Sequence, residues 1–331
     1  FGTLVSPLAS LMLFALVTHK LLASANNSAE FEQILVSFIS FNAAFAGFNA
    51  TLSQAANLAA NTLGRASVLW QRAEPVIYAE VERGYEPEAV HHDLEGHFQF
   101  RNVVYQYPGA NSPLYRKLDF EINPGEHTVI TGPSGCGKTT IVSMFLGFIE
   151  PQGGELLADG IPLSQLAIRQ YRRQLGVVLQ NAHLNQGSIY DIVSGGLVTE
   201  EERIWSALEA AAVADDVAAM PMKLETIVME GAGNMSGGQA QRIAIARALI
   251  HQPRVLLMDE ATSALDPPSQ QRINQTVKSL GITRISVAHR LATIRDADRI
   301  IVLRDGVAAE SGTWDELKHQ GYLAEILSKG H

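Results

Sequence analysis

Nine residues, Gly132-Pro133-Ser134-Gly135-Cys136-Gly137-Lys138-Thr139-Thr140, leave the chain around them little choice of architecture. They have the form G-x-x-x-x-G-K-[ST]. The apolar run Thr128-Val129-Ile130 before them reads as a buried strand, and Thr139 to Phe148 after them suits a helix. Strand, glycine-rich turn and helix in that order turn successive backbone N–H groups inward at a helix N-terminus, where partial positive charge gathers. Such a loop cradles phosphate. Lys138 is expected to reach the outer phosphates and the Thr139 hydroxyl to ligate Mg²⁺.

Two further strings fit the same chemistry. In Val255-Leu256-Leu257-Met258-Asp259-Glu260 four apolar residues bury a strand and two carboxylates emerge at its C-terminal tip. That is where ligands bind in open α/β sheets. Asp259 is expected to hold Mg²⁺ and Glu260 to polarise an attacking water. Two acids in this place also suit a helix cap, but the phosphate loop upstream favours the catalytic reading. Ser236-Gly237-Gly238-Gln239 is a capping box opening a helix at Ala240. Its two glycines add what a cap does not need, bare backbone at an anion-binding helix end.

With these strings in this order, residues 97–331 resemble the nucleotide-binding domain of an ATP-binding cassette (ABC) transporter. Met235-Ser236-Gly237-Gly238-Gln239 is similar to the family signature, with Met in place of the usual Leu. The resemblance implies that Tyr107 stacks on adenine and that Gln180 senses Mg²⁺ and the outermost phosphate. It makes His289 the switch histidine and puts Asp266, in Ser263-Ala264-Leu265-Asp266, in a loop at the dimer contact. Catalysis would then rest on Glu260, His289 and Gln180, and the metal on Thr139, Gln180 and Asp259. ATP would be held by Tyr107, Gly132 to Thr140, Ser236 to Gln239 and Asp266. The implied fold is α/β, a P-loop (RecA-like) domain with antiparallel β and helical subdomains, the helical one at about 181–245. Two such domains would sandwich two ATPs, each between the phosphate loop of one and the signature helix of the other. Tyr107→Phe is expected to be nearly silent, and thiol reagents at Cys136 to inhibit.

The strands expected are Phe98–Phe100, Val103–Tyr105, Leu118–Ile122, Gly176–Leu179, Val255–Met258 and Arg284–Val287, with turns at Asp159-Gly160 and Asp305-Gly306. Gln180 to Ser236 reads as mostly helical. Ahead of the α/β part the pattern is of another kind. Residues 1–18 and 33–64 carry no charged side chain. Phe38, Phe41, Phe45 and Phe48 share one helical face, and the Ala/Asn/Ser/Thr-rich run from Asn49 to Leu63 suits close helix packing in lipid. Residues 1–81 are therefore expected to be an all-α transmembrane segment of two helices. The second would run to about Val81 through Pro75, with the Arg65 end cytoplasmic. Residues 82–96, polar and acidic with His91-His92, read as a solvated linker. The chain opens on Phe1, which predicts that it starts partway through a longer protein.

The 331 residues carry a formal net charge of −9, which argues against a nucleic-acid surface. One cysteine excludes an intrachain disulfide. The reading is an ATP-hydrolysing exporter subunit in the inner or plasma membrane, multi-pass, with its nucleotide domain in the cytoplasm. It would dimerise with a second copy or a paralogous half-transporter. The runs Gly187 to Ile192 and Ala297 to Ile300 are most similar to peptide or bacteriocin secretion permease/ATPases, which implies a peptide cargo and a membrane-fusion partner. Lipid or drug export is the alternative within the family, and a soluble ABC ATPase the alternative outside transport.

Overall fold

The computed structural model describes residues 2–23, 28–79, 82, 84, 86, 88–179, 184–261, 265–319 and 321–329. The chain divides into two compact units, Phe1–Val81 and Glu82–His331.

The first unit is two helices, α1 (Gly2–Ala23) and α2 (Ser28–Ile77). They meet where Phe14 stands edge-on to Phe38 at 5.4 Å. At 50 residues, α2 is about 75 Å long, more than twice the hydrocarbon thickness of a bilayer. Among the described residues, Phe31–Ile77 is the one helix long and apolar enough to cross a membrane. Its large apolar side chains, such as Val36, Phe48 and Leu58, are exposed. The small polar residues spend their hydrogen bonds on their own helix: Asn49 donates to the Phe45 carbonyl and Thr51 to that of Gly47. Polar groups satisfied in this way tolerate apolar surroundings. Pro75 lies in the last turn and the helix ends at Ile77, while the expected end near Val81 lies outside the described residues.

The second unit begins with β1 (Phe98–Tyr105), β2 (Tyr115–Ile122), β3 (His127–Thr131), α3 (Lys138–Phe145), β4 (Gly153–Ala158), β5 (Ile161–Pro162), α4 (Ile168–Arg173) and β6 (Leu175–Val178). A helical region follows: β7 (Gly187–Ser188), α5 (Ile189–Ser194), α6 (Glu201–Ala210), α7 (Ala214–Ala218), β8 (Ile227–Val228) and α8 (Gly237–Leu249). The chain then returns to the sheet with β9 (Val255–Asp259), α9 (Pro267–Ser279), β10 (Thr283–Val287), α10 (Leu291–Arg295), β11 (Arg299–Arg304) and β12 (Val307–Gly312). It closes with α11 (Trp314–Leu317) and α12 (Gly321–Lys329).

The main sheet has the order β12-β11-β3-β10-β9-β6, parallel except for β12. Every residue of β3, β9 and β10 is buried, as expected of parallel strands covered on both faces. A second, antiparallel sheet has the order β2-β1-β4-β5. The two runs Phe98–Phe100 and Val103–Tyr105 are one strand, β1. The interruption between them is a bulge at Asn102, whose φ is 50° and whose N–H donates to Asp119 (2.7 Å). Both Asp-Gly turns form, closing β4 to β5 and β11 to β12. The two-residue strands β7 and β8 pair within the region read as helical.

Among the described residues of 82–97, several are tied down by side chains of the nucleotide unit. The Asp159 carboxylate accepts the backbone N–H groups of Glu95, Gly96 and His97 at 2.8, 3.1 and 2.8 Å. Gln174 accepts from the Leu94 N–H and donates to the His92 carbonyl. Arg172 pairs in fork fashion with Glu82 while its Nε donates to the Leu146 carbonyl at the end of α3. His91 faces Gln170 and His92 faces Asp159, so the two rings go to separate partners.

Candidate active site

The phosphate-type loop joins buried β3 to α3 by a path that only glycine can follow at two points. Gly132 has φ 151° and Gly137 φ 104°. A Cβ at Gly132 would lie 2.4 Å from the Leu303 carbonyl oxygen, and one at Gly137 would lie 2.5 Å from the Tyr115 hydroxyl. That hydroxyl donates to the Gly137 carbonyl (2.5 Å) from a fully buried ring. Burial pushes the Tyr115 phenol well up, so it stays a donor. The sequence gives this pin no motif; its signal is an apolar ring at a buried position of β2. The first backbone bond of the helix is from Ile141 N–H to the Gly137 carbonyl, so the amides of Lys138, Thr139 and Thr140 lack intrahelical acceptors. They form the floor of an anion cradle.

Lys138 supplies the charge. It is 8% exposed, and its ammonium donates to the carbonyls of Gly132 (3.0 Å) and Pro133 (2.9 Å). Both acceptors are neutral, so the positive charge is held over the loop and stays available to an anion. Cys136 Sγ lies 3.8 Å from the same ammonium. Burial nevertheless pushes the Cys136 thiol up, with Lys138 opposing. A mostly protonated thiol is a slow nucleophile at neutral pH, which weakens the expectation of ready inhibition by thiol reagents.

The two acids at the end of β9 separate as their roles require. Asp259 is 6% exposed, and burial, then the Glu260 charge, raise its carboxyl above the usual range, with Lys138 opposing. Glu260 turns out of the strand at φ 50° with its N–H donating to the Val287 carbonyl (2.9 Å). Its Oε1 lies 3.4 Å from His289 Nε2. Burial first, then Lys138, holds the His289 imidazole below its usual pKa against the pull of Glu260, so the ring is neutral at pH 7. A carboxylate raised by burial and by a second acid is a hard oxygen donor that a divalent cation would relieve.

Tyr107 stands half-exposed beside the loop, edge-on to Tyr105 at 5.0 Å. A cleft of about 420 Å³, lined by Tyr107, Pro113, Arg116, Ser134, Cys136 and Asp305, opens next to it. The Tyr107 hydroxyl also hydrogen-bonds to Thr140 Oγ1 (2.8 Å). That contact revises the expectation that Tyr107→Phe is silent. Phe should weaken nucleotide affinity by about 0.5–1 kcal/mol through the lost bond, and Ala by about 1–2 kcal/mol more through the lost ring. Titration with a fluorescent nucleotide checks both; equal losses would remove the ring from the site.

Not all the expected residues gather here. The structure brings Tyr107, Gly132 to Thr140, Asp259, Glu260 and His289 together. Ser236 to Gln239 begin α8, where the capping box forms: Gln239 N–H donates to Ser236 Oγ (3.2 Å) and Ser236 N–H to Gln239 Oε1 (3.1 Å). Ser236 and Gly237 are exposed. Asp266, also exposed, caps α9 by accepting the Ser269 N–H (3.1 Å). Gln180 and Ser263 lie outside the described residues.

A family model described as "ABC transporter" matches residues 115–263. The ATP-dependent lipid A-core flippase of Burkholderia orbicola is 39% identical over 260 residues, covering 77% of this chain and 44% of its own length. The ABC multidrug transporter atrD of Emericella nidulans is 40% identical over 250 residues, covering 72% of this chain and 19% of its own. Among solved structures, a bacterial Atm1-family ABC exporter with ATP bound aligns with a TM-score of 0.76 at 29% identity. That alignment covers 93% of this chain and 61% of that one. The chain thus spans less than half the length of the curated relatives it matches.

Proposed function

The chain carries the nucleotide-binding domain of the ABC transporter family, in its exporter form, and from that premise we propose that it is the ATP-hydrolysing part of a membrane exporter. The observation that carries the chemistry is the convergence of Lys138, Asp259, Glu260 and His289 on one glycine loop. The loop amides and Lys138 bind the phosphates; Tyr107 takes the base. Glu260 accepts the proton of the attacking water, and neutral His289 holds that carboxylate in place. Thr139 and Asp259 would hold Mg²⁺, with Gln180, and the ion would offset the phosphate charge. Exposed Ser236, Gly237 and Asp266, with half-buried Gly238, complete the site of a second copy, which makes the working unit a dimer.

The long uncharged stretch of α2 supports a membrane location, and the reading we propose is a multi-pass parent protein with the nucleotide domain in the cytoplasm. The cargo we favour is a lipid or another amphipathic small molecule, because the relatives above are named as a lipid flippase and a multidrug transporter. Peptide export with a membrane-fusion partner is the second reading, resting on the runs Gly187 to Ile192 and Ala297 to Ile300.

The test is membrane flotation together with ATP hydrolysis by the purified chain in detergent. The chain should float with the lipid, and phosphate release should require Mg²⁺ and rise more steeply than linearly with protein concentration. A wholly soluble chain would support the soluble ATPase alternative. Hydrolysis strictly linear in protein, by a chain that is monomeric in size under the same conditions, would remove the shared site.

A further inference from the structure

α8 is fastened to both ends of the loop that follows β9. Buried Gln241 donates to the Glu260 carbonyl (3.5 Å) at the start of that loop. Arg242, the next residue, reaches the other end: its Nη1 donates to Ser269 Oγ (3.0 Å), and the Ser269 N–H donates to the Asp266 carboxylate. In the other direction Arg242 Nη2 pairs with Asp216 (2.9 Å). The second oxygen of Asp216 accepts from the Gln239 side chain (3.1 Å), and the Gln239 backbone N–H donates to Ser236 Oγ. An unbroken polar chain therefore runs Ser236, Gln239, Asp216, Arg242, Ser269, Asp266.

The chain is not explained by stability. The Arg242 guanidinium is mostly buried, its Nη1 also donates to the Ala212 carbonyl, and its Nε finds no partner among the described residues. An ionic hub with an orphaned N–H is a poor way to hold helices together, and an apolar residue of similar size would do as well. What a fork-shaped, always-charged group does well is fix three elements, α7, α8 and α9, at set angles.

We propose that Arg242, held by Asp216, is a positioning residue that links the two nucleotide sites of the dimer. The inference rests on the shared-site reading above. In that arrangement Ser236 touches the nucleotide of the partner copy, whereas Glu260 acts on the chain's own. Arg242 then carries the position of α8, set by one nucleotide, to Asp266 and, with Gln241, to Glu260, which serves the other. Ser236 engages phosphate only when the dimer closes, so the loop is set only then.

Two variants test this in the full chain. Arg242→Lys keeps the charge and loses the fork; Asp216→Asn keeps the shape and loses the charge. Each should lower turnover at saturating ATP about tenfold, since small misplacements of reacting groups cost this much or more. Nucleotide affinity measured at the phosphate loop should stay within about twofold, and a cooperative melting transition should be retained. The double variant should be no worse than the worse single one, because both break one chain. Turnover within about twofold of the parent in both variants would overturn the relay, as would losses that multiply in the double variant or that match equal losses of nucleotide affinity. A parent that is monomeric in size under the assay conditions and whose rate per mole of protein does not change with protein concentration would overturn the shared site, and the relay with it. A dimer-dependent parent with unaffected variants overturns the relay alone.

Discussion

Glu260→Gln is expected to cut ATP turnover about 100-fold or more while leaving ATP affinity within about twofold. A hundredfold loss corresponds to about 2.7 kcal/mol of transition-state stabilisation. The affinity is spared because the residues that bind phosphate are other ones, Lys138 and the first amides of α3. Glutamine has the same length and suits the same backbone, so it can still face His289 Nε2, which lies 3.4 Å from the native carboxylate. It cannot take a proton. Phosphate release and equilibrium binding of a fluorescent nucleotide, measured on one preparation, separate the two effects. Undiminished turnover would shift the role of base away from Glu260. A parallel loss of binding would show that the substitution disturbed the loop rather than the chemistry.

The second large effect is on stability and lies at the other end of β3. His127 is buried at the start of that strand, with its Nε2 at 3.0 Å from Ser286 Oγ. Burial, followed by the nearby Arg284 charge, holds its pKa down to about 4 against the pull of Asp296 and Asp298. The folded chain therefore keeps the ring neutral where the unfolded chain, with an ordinary histidine pKa near 6.5, takes up a proton. Stability from this source is intact above about pH 6.5, falls as the pH drops towards 4, and changes no further below that. The depression is worth about 3 kcal/mol over the whole window. Melting of the parent and of His127→Gln between pH 7.5 and 4.5 reads it directly. The parent should lose stability steeply across that range and the variant should lose much less. Equal slopes would assign the acid sensitivity to other groups. The carboxylates held below their ordinary range, among them Glu82 beside Arg172 and Glu121 beside His97, act lower, as the pH falls below about 4.5.

What the sequence revealed, and what it hid, follows from the range of the forces involved. The α/β class was legible because β3, β9 and β10 are buried on both faces and so had to be apolar throughout. The phosphate loop was legible because glycine positions and a lysine at fixed spacing encode a local shape. Long-range polar contacts left no such trace. Asp159 reads as a turn former, yet its carboxylate also collects three amides from a segment more than sixty residues away. That segment looked solvated because its composition is polar; its polarity is used on Gln174, Asp159 and Arg172 instead. Tyr115 and Arg242 act through contacts between distant elements, which no spacing rule records. The bulge at Asn102 hid a single strand as two, and the two-residue strands β7 and β8 are too short to show any alternation.

The left-handed backbone at Glu260 has an evolutionary consequence. At φ 50° a glutamate is held where glycine or asparagine would rest with less strain, so the position keeps a residue that the fold itself does not favour. Selection for durability alone and selection for turnover therefore pull this codon in opposite directions.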